Sequence, residues 1–155
     1  MALARAAGER QILHDVSKLA PIGLGEVAVT SAGKLPAEFI FHGASVGISE
    51  TDIRWSEQSI YNTVRNALVR SVALGVDVLF IPLLAAGTGR APPELSASQI
   101  LKAICEFESL NGIGNVPMGS MRINIVVYQE TELPRQAYDA ELNARIQART
   151  AQIRA

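Results

Sequence analysis

Apolar residues fall along this chain in two rhythms, helical spacings over long stretches and short unbroken runs between them, and their alternation predicts an α/β protein. Residues 2 to 20 carry Leu3, Ala6, Leu13, Val16 and Leu19 on one side and stop at Pro21, so a helix is expected there. Gly8 weakens it by about 1 kcal/mol relative to alanine. Gly23 and Gly25 turn the chain into a strand over Glu26–Thr30, and a turn with Gly33 and Pro36 leads to a second strand, Phe39–Ser45. The apolar start of that second strand implies burial on both faces. Val46 to Arg54 shows no periodicity and is expected to be a loop. Ser56 then caps a helix with Ile60, Val64, Ala67, Leu68, Ser71 and Val72 at helical spacing, closed by Gly75. Trp55 reads as a hydrophobic staple against that helix.

The stretch that follows organises the rest. Val76 to Ile81 is a short β-branched and aromatic run, expected to be a strand buried on both faces and ended by Pro82. A small-residue loop, Ala85-Ala-Gly-Thr-Gly89, comes next, and after Pro92-Pro93 a helix capped by Ser96 or Ser98 carries Ile100, Ile104, Phe107 and Leu110, with Leu101 and Cys105 beside them. Asn111-Gly112 is expected to stop it, and 111–120 to connect to a last strand, Met121–Tyr128. Pro134 suits the first turn of a final helix with Tyr138, Leu142 and Ile146. A strand feeding a glycine-bearing loop and then a helix is a common way to hold a phosphate, because backbone N–H groups can close on the anion. The loop has neither Gly-x-Gly-x-x-Gly nor Gly-Lys-Ser/Thr, so no dinucleotide fold or P-loop follows, and a plain connector is an equal reading of the loop taken alone. In parallel sheets ligands sit beyond the carboxyl ends of the strands, which puts Leu83–Arg90 and the residues after Val127 around one crevice.

Composition narrows the function classes. The 155 residues fit one domain, 1–155, and 48% hydrophobic with 19% charged content is that of a soluble globular protein. A net charge of -1 gives no basic surface for nucleic acid. The lone Cys105 excludes an internal disulfide and a cysteine zinc cluster, and its apolar surroundings read as an inert buried thiol. No apolar run approaches a membrane span of about 20 residues, no signal peptide is evident at the N-terminus, and a cytoplasmic location is expected. His14 reads as a solvated helix residue and His42 as a satisfied core side chain. No metal site, cofactor or catalytic dyad is assigned.

From Gly25 to His42 the chain reads Gly-Glu-Val-Ala-Val-Thr-Ser-Ala-Gly-Lys-Leu-Pro-Ala-Glu-Phe-Ile-Phe-His. This resembles the middle of a macrodomain, the ADP-ribose-binding α/β module, with its strand ending in Thr, a Gly-Asn-Leu-Pro-Ala-like turn and a strand ending in Ile-His. The spacing to Phe80-Ile-Pro-Leu-Leu-Ala-Ala-Gly-Thr-Gly89 and to the last strand is similar too, so the likeness covers most of residues 1 to 130. It implies a three-layer αβα domain on a mixed, mostly parallel sheet. It also implies a phosphate-cradling loop formed by Leu84, Ala85, Ala86, Gly87, Thr88, Gly89 and Arg90. Tyr128 is similar to an aromatic that stacks on adenine in some members; packing on the last helix is its other reading.

The chain also departs from the family. Members begin with two strands, an Asp that reads adenine, an Asn-Ala-Ala-Asn-like strand end and a Gly-Gly-Gly loop, whereas this sequence starts at Ala2–Gly8, within what resembles the helix after that loop. It is therefore expected to be an N-terminally shortened macrodomain. Where members often have Gly-Val-Gly-Gly-Phe, this chain has Gly87-Thr-Gly-Arg-Ala91. The resemblance implies a binding module for ADP-ribose or a related phosphate-bearing nucleotide, intact or degenerate. The alternatives are a ligand-free interaction domain that keeps the core and, behind it, an ADP-ribosyl hydrolase, whose catalytic groups in the family come largely from the segment without a counterpart. Strands 38–45 and 76–81 would lack the neighbour that separates them in the family. They pair directly, a second copy of the chain covers them, or the chain is part of a longer product; a homo-oligomer is expected.

Overall fold

The structure, a computed structural model, describes residues 6–48, 52–113 and 121–127. Helix α1 spans Glu9–Ser17, strand β1 Val27–Ser31, β2 Phe39–Gly43, β3 Gly47–Ile48 and β4 Ile53–Arg54. Helix α2 spans Glu57–Ala73, β5 Val78–Pro82, α3 Pro93–Ile113 and β6 Arg122–Val126. The expected final helix beyond Pro134 and the side chain of Tyr128 lie outside the described residues.

Helix α2 is the axis on which the domain is assembled, and its limits are written locally. The Ser56 hydroxyl accepts from Ser59 N–H at 3.0 Å while Ser59 Oγ accepts from Ser56 N–H at 2.9 Å, a reciprocal cap that satisfies two donors at the helix start. At the other end Gly75, at φ 66°, lets its own N–H reach Val72 O and the N–H of Val76 reach Ser71 O, the paired bonds of a Schellman ending. Between these limits Ile60, Val64 and Leu68 point inward and meet Ile100, Ala103 and Phe107 of α3 and Leu79 and Ile81 of β5. Trp55 packs at the margin of the same cluster, as a staple should. Gly43 permits β2 to approach α2 closely, since a Cβ there would collide with Thr63 Cγ2.

The described strands form three ladders: β1 with β2 antiparallel, β3 with β4 antiparallel, and β5 with β6 parallel. The α/β class and the mixed strand directions agree with expectation. Ladder β1–β2 has Ala28 opposite His42 and Thr30 opposite Ile40. A second small core of Ala7, Ile12, Ala32 and Ile40 fastens α1 onto it.

Several expectations are corrected. The helix over 2–20 is not continuous: Gly8 sits at φ 94° and α1 restarts at Glu9. The restart shifts the helix phase, so Ile12 is buried and Leu13 is 57% exposed. Residues 46–54 are not a plain loop, because Gly47 and Ile48 pair with Arg54 and Ile53 in a short hairpin. Helix α3 begins at Pro93, which places Ser96 inside its first turn rather than at its cap, and it runs through Asn111 and Gly112 to Ile113. Strand β5 is covered on one side only: Leu79 and Ile81 are buried, whereas Phe80 is 65% exposed. Of the three outcomes left open for β2 and β5, direct pairing is not seen among the described strands.

Candidate functional site

The loop from Leu83 to Pro92 leaves the carboxyl end of β5, whose last residue, Pro82, stands opposite Val126 of the parallel neighbour. Its path is fixed by carbonyl groups drawn into internal bonds. The Ser96 hydroxyl donates to Leu84 O at 2.7 Å, Ala91 N–H to Ala85 O at 3.0 Å, and Arg90 N–H to Gly87 O at 3.0 Å. Two non-glycine residues adopt left-handed backbone here, Ala85 at φ 60° and Arg90 at φ 56°. Such a conformation costs about 1–2 kcal/mol for a residue with a Cβ, and these bonds hold it in place.

The backbone N–H groups of Ala86, Gly87, Thr88 and Gly89 donate to no group among the described residues. Successive unpaired amides can serve as an anion site where the backbone turns them to one side. At the start of α3, Pro92 and Pro93 carry no N–H. Arg90 is exposed and is the one charged side chain in the loop.

The two glycines of the loop differ in role. A Cβ at Gly87 would meet nothing within 4 Å, and the residue is exposed. A Cβ at Gly89 would fall 2.6 Å from Ala85 O and 2.9 Å from Val46 Cγ2, so this buried residue is required by the packing of the loop upon itself and upon the chain leaving β2. The N-terminus of α2 is tied to the same region, since Ser59 Oγ donates to Ser45 O at 3.1 Å.

Of the expected site residues, Leu84, Ala85, Ala86, Gly87, Thr88, Gly89 and Arg90 lie together in this loop, and Tyr128 lies outside the described residues. Sequence reasoning missed Val46, the residue beneath Gly89, and took Ser96 for a possible helix cap rather than an anchor for the loop. No sequence signal links either to the loop, because both contacts cross between elements. His42 shares a 2.8 Å hydrogen bond with Thr30 Oγ1 across the ladder, and burial pushes its pKa below the ordinary 6.5. It is a satisfied structural histidine, as its position in an apolar strand suggests. Cys105 is a free, half-buried thiol on α3. A separate hollow of about 390 Å³, lined by Val29, Ser31, Phe39, Arg70 and Leu74 among others, opens at the far end of α2 and includes no residue of the loop. Among the described residues no group of three His, Cys, Asp or Glu could hold a metal ion.

Comparison with known proteins gives consistent results. An uncharacterized protein of Sulfurisphaera tokodaii is 35% identical over 111 residues, which is 68% of this chain and 58% of that protein, so the chain spans less than two thirds of this relative. The Oceanobacillus iheyensis macrodomain with ADP superposes with a TM-score of 0.70 at 22% identity, covering 95% of this chain and 75% of that one. The Trypanosoma brucei macrodomain in complex with ADP-ribose gives a TM-score of 0.71 at 18% identity, over 90% of this chain and 54% of that one. The sequence matches the Macro domain family over residues 1–100. With this match, which covers more than half of its residues, the chain belongs to the Macro domain family.

Proposed function

We propose that the chain is a binding module for ADP-ribose or a related phosphate-bearing nucleotide, with the loop Leu84–Arg90 as its phosphate cradle. The observation that carries this reading is the run of amides from Ala85 to Gly89 that donate to no group among the described residues, while Leu84 O, Ala85 O and Gly87 O accept internal bonds. An anionic diphosphate accepts from such donors in charge-assisted bonds, roughly twice as strong as neutral ones. Arg90 adds an electrostatic attraction at the rim. Structures of the same fold hold ADP and ADP-ribose, which supports the ligand class. Calorimetric titration at low salt tests it: ADP-ribose and ADP should bind while adenosine does not. Silence for both diphosphates at millimolar concentration rejects the reading.

The second reading, an interaction domain, is favoured by the open face of the β5–β6 ladder. Val78, Phe80 and Val126 are exposed on strands of a parallel pair, and parallel sheets are ordinarily covered on both faces. The homo-oligomer expected from the sequence is the form in which a second copy covers this surface. Sedimentation at micromolar concentration tests it; a monomer counts against self-association.

A further inference from the structure

Resting on the nucleotide-binding reading, we infer that Ser96 is a positioning residue that aims the first amide of the cradle, that of Ala85. Ser96 is fully buried in the first turn of α3, and its hydroxyl donates to Leu84 O at 2.7 Å. The Leu84 carbonyl and the Ala85 N–H belong to one planar trans peptide, in which the two groups point in opposite directions. Holding the carbonyl toward α3 therefore turns the Ala85 N–H away from α3. That N–H donates to no group among the described residues, and it directly precedes the four unpaired amides of Ala86 to Gly89. The bond also protects the strained backbone of Ala85, whose φ of 60° is held from the other side by Ala91 N–H on Ala85 O. Without the Ser96 hydroxyl the peptide can rotate. Its carbonyl then competes for the space in which an anion must sit, and a carbonyl oxygen repels an anion that an amide attracts. Ser96 thus serves the ligand without touching it.

The test titrates ADP-ribose into the wild type, Ser96→Ala and Ser96→Thr, and follows the backbone amides of Ala85 to Gly89 by ¹⁵N NMR. The Ala85 amide of the wild type should shift together with those of Ala86 to Gly89. Ser96→Ala should bind about five- to tenfold more weakly, the worth of one buried neutral hydrogen bond, and Ser96→Thr, which keeps the hydroxyl, should bind within about twofold of wild type. If Ser96→Ala fails to fold, the wild-type amide shifts still decide. Shifts at Ala86 to Gly89 with Ala85 unmoved overturn the role of Ser96 and leave the nucleotide reading standing. So does wild-type affinity in Ser96→Ala, or a Ser96→Thr protein as weak as Ser96→Ala. No shift at any of these amides overturns the nucleotide reading and the inference with it.

Discussion

Gly87 and Gly89 stand two residues apart in one loop, yet the structure predicts opposite consequences for filling them. At Gly89 an added Cβ meets Ala85 O at 2.6 Å and Val46 Cγ2 at 2.9 Å. Contacts below 3.0 Å against backbone cannot be relieved by a rotamer change, so the loop must shift. Overpacking of this kind costs about 1–3 kcal/mol. In a domain of this size each kcal/mol lowers the melting temperature by about 2–4 °C, which puts Gly89→Ala about 2–12 °C below wild type. At Gly87 the same Cβ meets nothing within 4 Å, and its φ is outside the left-handed range. Gly87→Val should therefore melt with the wild type to within about 0.5 kcal/mol, as exposed substitutions usually do. It places a branched side chain over the unpaired amides, so ADP-ribose affinity should fall by about 100-fold or more, the equivalent of two charge-assisted bonds. Differential scanning calorimetry and calorimetric titration on the two variants separate the effects. A Gly89→Ala protein as stable as wild type would refute the packing argument, and undiminished affinity in Gly87→Val would remove the loop from the ligand site.

Three further outcomes follow from other positions. Arg90→Gly removes the charge while suiting the φ of 56°, so ADP-ribose binding should weaken roughly 10- to 100-fold and lose part of its salt dependence with stability unchanged; identical salt slopes in both proteins would mean that the guanidinium faces only water. His42 has a folded-state pKa below its ordinary 6.5, so the unfolded chain binds the proton first as pH falls. Its contribution is intact above pH 6.5 and is lost below it, and urea midpoints should drop between pH 7.5 and 5.5 in wild type but less in His42→Gln; equal drops would discard the assignment. Ser71 Oγ is buried and has no hydrogen-bond partner among the described residues, so Ser71→Ala should leave stability unchanged or raise it by about 1 kcal/mol; a fall of the chemical-denaturation midpoint would reveal a partner that the hydroxyl does have.

Elements whose signals are local could be read directly from the order of residues. Helix α2 was legible because its cap, its apolar stripe and its terminal glycine all lie within the segment they control, and the ordering of strand, loop and helix around Gly87 came from the same kind of evidence. The family resemblance then marked Leu84–Arg90 as a cradle, and the proposal for that loop rests on its unpaired amides. Properties set by a neighbour distant in sequence emerged only from the fold. Gly8 ends one helix and starts another because Ala7 O is taken by the N–H of Lys34, 27 residues away. The apolar run of β5 cannot say which of its faces is covered, because hydrophobicity marks a wish for burial and not the partner that grants it. Leu79 and Ile81 found α2 and α3, while Phe80 found solvent. Gly87 and Gly89 are identical letters, and only the approach of Val46 and Ala85 O makes one an opening and the other a packing requirement. Ser96 looked like a helix cap because caps are local, and it became an anchor because the loop folds back over the first turn of α3 to bring Leu84 O within reach.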